Sequence, residues 1–318
     1  MVIKTYSKVA LSVDAQIDFL ICQGLLIEDR SFAKQALSVI GYYRFSAYLL
    51  PFKESREGAA RRSFKADTTF EHILNLYMFD RELKRLVIDA IERIEIAFRA
   101  AIANATAIEM GPFWYTDRML YRETKPFENL MRDVNNIVKN KHELFIEHYY
   151  AHYNLPSYPP IWMMMETLSF GACSKIFSNL KHVSCKKKIC ELFLVAPTIM
   201  DSWLKMLVYV RNICAHHGRL WNRWLVEAPI IPKKAPQQFM LQENNRQFIA
   251  CAYVISCLLS AIAPEENWSK SLQELFSRYP EQLRLSMGFS KQWDAHSFEV
   301  NLKQLSKPHT KETLQCPT

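Results

Sequence analysis

A mainly α-helical fold is predicted for this chain by three observations. Glycine is scarce, at 7 of 318 residues, so few turns are forced. Leu, Ile, Ala, Lys and Glu are abundant, which suits helices better than twisted sheets. Downstream of Thr68, one apolar stripe keeps helical spacing for about forty residues, on the order of 60 Å of α-helix.

Taken in order, "VDAQIDFLICQGL" and "SFAKQALSVIGYYRFSAYLLPF" predict two short helices, the second stopped by Pro51. The polar "KESREGAARRSFKAD" between Lys53 and Asp67 reads as a loop. Thr68 and Glu71 form a capping-box pattern opening the long helix. Its stripe includes Ile73, Leu76, Leu83, Val87, Ile91, Ile94 and Phe98, and nothing breaks it before Gly111-Pro112. On its other face, Asp89/Arg93 and Glu95/Arg99 stand at i,i+4 and can pair along the surface, the alternative being that some of these charges line a groove or a dimer contact. Residues 127–153 give further helix. After "NLPSYPP" turns the chain, "IWMMMETLSFGACSKIFSNL" reads as a buried helix pair. Thr198 with Asp201 opens "IMDSWLKMLVYVRNICAHH", which Gly218 is placed to end. Past the prolines of "APIIPKKAP" come an apolar helix at 248–263 and small amphipathic pieces, with the last dozen residues frayed.

At 49% apolar and 13% aromatic the composition excludes a disordered chain, and the length allows a sizeable core. The expected organisation is a helical core over residues 1–230. A helical extension, 231–318, packs on the same unit. A net charge of +8 favours a polyanionic partner. The eight cysteines include no C-x-x-C pair, and residues 1–16 hold no apolar run of signal-peptide length, so reduced thiols in the cytoplasm are expected. "FIACAYVISCLLSAIA" carries no charge over sixteen residues, but a membrane span needs about twenty. A buried core helix is therefore expected, and no membrane partner. A membrane-associated effector using this segment is the reading to be tested against it.

The chemistry concentrates in "YVRNICAHHGRLWNR", residues 209–223. At 100° per residue Asn212, His216 and Arg219 fall on one helical stripe at i, i+4 and i+7, with Arg211 beside them. An imidazole that titrates near neutrality beside a fixed guanidinium suits phosphodiester chemistry. The ring can move the 2′-OH or leaving-group proton, and the guanidinium can neutralise charge growing on phosphate. Spacing by itself favours the plainer reading, the polar end of a buried helix.

"RNICAH" fits the R-N-x-x-x-H signature of HEPN-domain ribonucleases. Beyond it, "IGYYRFSAYLLPF" (40–52), "LYMFDRELKRLVIDAIERIEIAFRA" (76–100) and "GPFWY" (111–115) resemble the Abi-like abortive-infection family of bacterial phage-defence proteins. So do "PPIWMMMETLSFGACSKIF" (159–177), "SWLKMLVYVRNICAHHGRLWNR" (202–223) and "MGFSKQW" (287–293), which makes the resemblance nearly full length. It implies a HEPN-like helical bundle elaborated at both ends. It also implies metal-independent endoribonuclease activity leaving 2′,3′-cyclic phosphate and 5′-OH ends, with no cofactor. The motif carries over as Arg211 on the phosphate, Asn212 as polar support and His216 as the proton-transfer residue, with His217 competing for that role. Because HEPN sites are commonly composite and one motif is present, a homodimer is implied. RNA is the implied substrate, and a small non-coding RNA could hold the toxin in check. Some HEPN domains bind RNA or protein without cleaving, so a non-catalytic binding module is the alternative.

Two further stretches bear on RNA. "RLWNRW" interleaves Arg219 and Arg223 with Trp221 and Trp224, a pattern that can stack bases or pack a core. Lys186, Lys187 and Lys188 could form an electrostatic footprint or a solvated run. His148 and His152 have metal-ligand spacing but neither the H-E-x-x-H glutamate nor an evident third ligand, so no metal is expected there.

Overall fold

The computed structural model describes residues 9–54, 63–140, 143–232 and 245–298. It is mainly α-helical, and among the described residues there is no β-strand beyond isolated bridges. The chain divides into two compact units, Met1–Glu82 and Leu83–Thr318.

The first unit contains α1 (Val13–Cys22), α2 (Arg30–Ile40), α3 (Tyr42–Ser46) and the opening turns of α4 (Phe70–Met110). Helix α1 starts where the Ser12 side chain accepts a hydrogen bond from the Ala15 N–H, and α2 starts on Asp29 in the same way from Phe32. Arg30 and Lys34 of α2 reach Asp18 and Asp14 of α1, each at 2.7 Å. One continuous helix to Pro51 was expected here. Instead the chain breaks at Gly41, whose φ of +81° lies in the region that favours glycine, and resumes as α3. Phe45 of α3 stacks on Phe70 at 4.9 Å, and the Tyr48 hydroxyl donates to buried Asp80 at 2.6 Å. Residues 55–62 of the expected loop lie outside the described residues.

The expected long helix is present as α4, 41 residues from Phe70 to Met110. Its cap differs from the expected pair. Thr69 Oγ1 accepts from the His72 N–H and His72 Nδ1 accepts from the Thr69 N–H, both at 3.3 Å. Thr68 is buried, and its hydroxyl donates to the Lys65 carbonyl instead.

In the second unit, Leu83, Val87, Ala90, Ile91, Ile94, Phe98 and Ile102 of α4 are all buried. Helices α5 (Thr124–Asn140) and α6 (Leu144–His152) follow. The predicted helix pair is α7 (Ile161–Thr167) and α8 (Phe170–Asn179), and Phe98 meets Phe170 and Phe177 of α8 edge-on. Then come α9 (Val183–Glu191) and α10 (Pro197–Ala215), which pack on each other and, for α10, on α8. No side chain caps α10, so Thr198 and Asp201 do not open it; Pro197 takes a first-turn position where its missing N–H costs nothing.

Helix α11 (Phe248–Ile262) is buried all round, with every residue from Phe248 to Leu259 enclosed. This is the core helix the uncharged run predicted, and no described helix is long and apolar enough to cross a membrane. Helices α12 (Trp268–Ser277) and α13 (Glu281–Leu285) follow. The Trp268 indole N–H donates to the Leu86 carbonyl of α4 at 3.1 Å. The seven described cysteines form no disulfide.

Candidate functional site

Val210, Ile213 and Cys214 are buried and fasten the last turns of α10 to the core, while Asn212 on the opposite face is exposed. The helix stops at Ala215. His216 is its cap, with its N–H on the Asn212 carbonyl at 3.0 Å. His217 then takes φ +56°, its N–H reaches the Cys214 carbonyl at 3.0 Å, and the Gly218 N–H reaches Ile213 at 2.8 Å. This is the Schellman ending, but the left-handed position that usually holds glycine holds an imidazole, one residue before the glycine expected to stop the helix. A non-glycine side chain there carries a conformational cost, and such costs concentrate at functional positions. Lys84 of α4 donates to the Gly218 carbonyl at 3.2 Å and fixes the chain as it leaves the turn.

Both histidines are exposed, and Arg211 is part-buried. The Arg211 Nη1 lies 3.4 Å from the Asn212 side-chain oxygen, a long hydrogen bond. Its Nε lies 3.8 Å from Glu95 Oε2 of α4. The other Glu95 oxygen is held by Arg99, through Nε at 3.1 Å and through Nη2. Arg99 Nη1 in turn donates to the Met165 carbonyl of α7. Two guanidiniums thus share one carboxylate, leaving a net positive charge. Arg99 is the more deeply enclosed, so the surplus is offered through Arg211.

Glu95/Arg99 is therefore not the surface pair expected from its spacing. A signal for this was present in the sequence: Glu95 stands four residues after Ile91 and three before Phe98, inside the apolar stripe. Asp89/Arg93 does pair, at 3.0 Å, and Arg93 also contacts Glu266.

A family model for Abi-like proteins matches residues 35–222, the whole R-N-x-x-x-H segment included. The chain belongs to the Abi-like protein family. Neither the curated proteins nor the solved structures contain a match.

In this Abi-like protein the remaining candidates separate. Arg219 lies past the helix end, so it is not the third member of a stripe with Asn212 and His216. Arg223 turns back on α10: its Nε donates to the Tyr209 hydroxyl at 3.1 Å and Nη1 to the Arg219 carbonyl at 3.3 Å. Trp221 is buried and its indole N–H donates to the Leu283 carbonyl at 2.9 Å, so it packs a core. Trp224 keeps 57% of its surface exposed.

The lysine triplet divides three ways. Lys186 is buried; its ammonium donates to the Ser178 carbonyl at 2.8 Å and sits over the Phe177 ring, which corrects its assignment to an RNA-facing patch. Desolvation, followed by the Arg122 charge, brings its pKa down to about 8. Lys188 pairs with Glu109 of α4 at 3.0 Å, and Lys187 is exposed. The His148 and His152 rings lie 4.1 Å apart, and His152 Nδ1 is within 2.9 Å of the His148 carbonyl.

Proposed function

We propose that this chain is a metal-independent endoribonuclease of the abortive-infection class with a HEPN-type site, acting in the cytoplasm. The observation that carries this reading is the gathering of Arg211, Asn212, His216 and His217 at one helix end, with the guanidinium held by Glu95. A histidine takes the ribose 2′-OH proton, and the 2′ oxygen attacks phosphorus. The bond to the 5′ oxygen breaks, that oxygen takes a proton from the imidazolium so formed, and the products are a 2′,3′-cyclic phosphate and a 5′-OH end. Arg211 neutralises charge accumulating on the phosphoryl oxygens. Asn212 orients Arg211. Arg219, Arg223 and Lys187 supply further positive charge along the RNA. In a homodimer a second copy would bring its own set to a composite site, and a small non-coding RNA could occupy the same surface as inhibitor.

The ion pair that Arg211 already makes favours one other reading, a helical module that binds RNA or protein without cutting, since a helix junction alone can use such a pair. One experiment separates them. RNA is incubated with purified protein in EDTA, beside the His216→Ala, His217→Ala and Arg211→Ala variants, and end groups are mapped. Cleavage in EDTA to cyclic-phosphate ends, abolished by one histidine variant, supports the ribonuclease. Cleavage restored only by magnesium, or equal in both histidine variants, overturns the mechanism; binding without cleavage favours the module.

A further inference from the structure

A second cluster of reactive side chains lies where α4 ends and α9 begins. Glu109 is on the last turn of α4, His182 is the residue preceding α9, and Cys185 follows it by three on the same edge. His182 Nδ1 is 3.5 Å from Glu109 Oε1 and 3.6 Å from Cys185 Sγ, and one ligand atom from each residue falls within 4.8 Å of the other two.

The two separations from His182 match those of a tetrahedral metal site. Bonds of about 2.3 Å to sulfur and about 2.0–2.1 Å to nitrogen and oxygen place ligand atoms roughly 3.3–3.6 Å from one another. The donors are a thiol, an imidazole and a carboxylate, the set that selects zinc over hard oxygen-seeking cations. With the thiol deprotonated, the two anionic ligands balance a divalent ion. Cys185 is fully enclosed, Glu109 mostly covered and His182 about half exposed. Lys188 Nζ lies 3.0 Å from Glu109 Oε2, while Oε1 is the oxygen nearer His182. The Ser184 hydroxyl links Oε1 to Nδ1, His182 Nδ1 being 2.9 Å from it, and an ion would replace that link.

We infer that Glu109, His182 and Cys185 form a zinc site with water as fourth ligand. The bound ion clamps the end of α4 to α9, the helix packed against the motif-bearing α10. This site is independent of the ribonuclease reading, because its occupancy is measured without RNA.

The test uses the full chain, stripped of metal with a chelator and titrated with cobalt(II) as a spectroscopic probe. One equivalent is expected to produce intense visible bands of four-coordinate cobalt and a thiolate-to-cobalt charge-transfer band, both removed by zinc. Cys185→Ser should lose the charge-transfer band. His182→Ala, at a half-exposed position outside the core, should keep the fold and bind at least about tenfold more weakly. Cys22→Ser, at the exposed thiol of α1, should leave the spectrum unchanged. If Cys185→Ser does not fold, His182→Ala decides. A wild-type protein without the charge-transfer band, a Cys185→Ser protein that retains it, or undiminished affinity in His182→Ala would overturn the site.

Discussion

Glu95 Oε2 lies 3.8 Å from Arg211 Nε, joining the middle of the long helix α4 to the last turn of α10. The other carboxylate oxygen belongs to Arg99, so Glu95 stands between an enclosed guanidinium and a part-exposed one. A buried carboxylate in that position sets where Arg211 can point without consuming all of its charge.

Glu95→Gln keeps the shape and removes the charge, leaving Arg99 uncompensated in the core. Breaking a buried pair in this way is expected to cost about 3 kcal/mol, read from the urea midpoint. Loss of the tether on Arg211 should lower RNA cleavage at least roughly tenfold. Glu95→Asp should recover part of both. Unchanged cleavage in folded Glu95→Gln would remove Glu95 from the site.

His217→Gly tests the backbone and the imidazole separately. Glycine accepts φ +56° without a Cβ penalty, so thermal stability should hold or rise by about 1 kcal/mol. If His217 transfers the proton, the same variant loses about 10²-fold or more in cleavage rate, and His216→Ala does not. If His216 does so, the outcomes exchange. A stability loss in His217→Gly would show that the ring itself supports the fold.

Lys186 gives a pH dependence with a definite sign. Its folded pKa, about 8, lies below the ordinary lysine value of 10.5, so between those values the unfolded chain holds more of the proton. Stability from this group therefore rises with pH from about 8 to 10.5, and below that range its desolvation penalty is constant. Lys186→Met should abolish this rise, on the order of 2 kcal/mol, in wild-type minus variant denaturation curves. RNA affinity should not change. Lys187→Ala, at the exposed neighbour, should instead reduce the salt slope of RNA binding by about 1.

The two tryptophans after the motif should behave oppositely. Trp221→Phe loses the indole bond to Leu283 and is expected to cost about 1–2 kcal/mol with RNA binding intact. Trp224→Ala, at a largely exposed ring, should leave stability within about 0.5 kcal/mol and weaken RNA binding if bases stack there. A large stability loss in Trp224→Ala would count against that surface role.

Where hydrophobic periodicity ran uninterrupted, the fold was legible. The stripe from Ile73 to Phe98 predicted the 41-residue α4, and the uncharged run at 248–263 predicted a buried helix rather than a membrane span. Where a side chain chose between partners, sequence spacing misled. Thr68 and Thr69 compete for one cap, and the choice follows from Thr68 turning its hydroxyl to Lys65. Arg219 shared a stripe with His216 only if α10 continued, and His217 in the left-handed conformation ends it.

The chain's own order determined that Arg211, Asn212, His216 and His217 sit within seven residues at the end of an apolar helix, because helical contact is local and periodic. Tertiary structure decided which side chains surround them. It enclosed Lys186 and Trp221, turned Arg223 back on Tyr209, and brought Glu95 to Arg211 across 116 positions of chain. Pairings at that distance depend on how α4 and α10 pack, and side-chain periodicity within one helix carries no information about its neighbour.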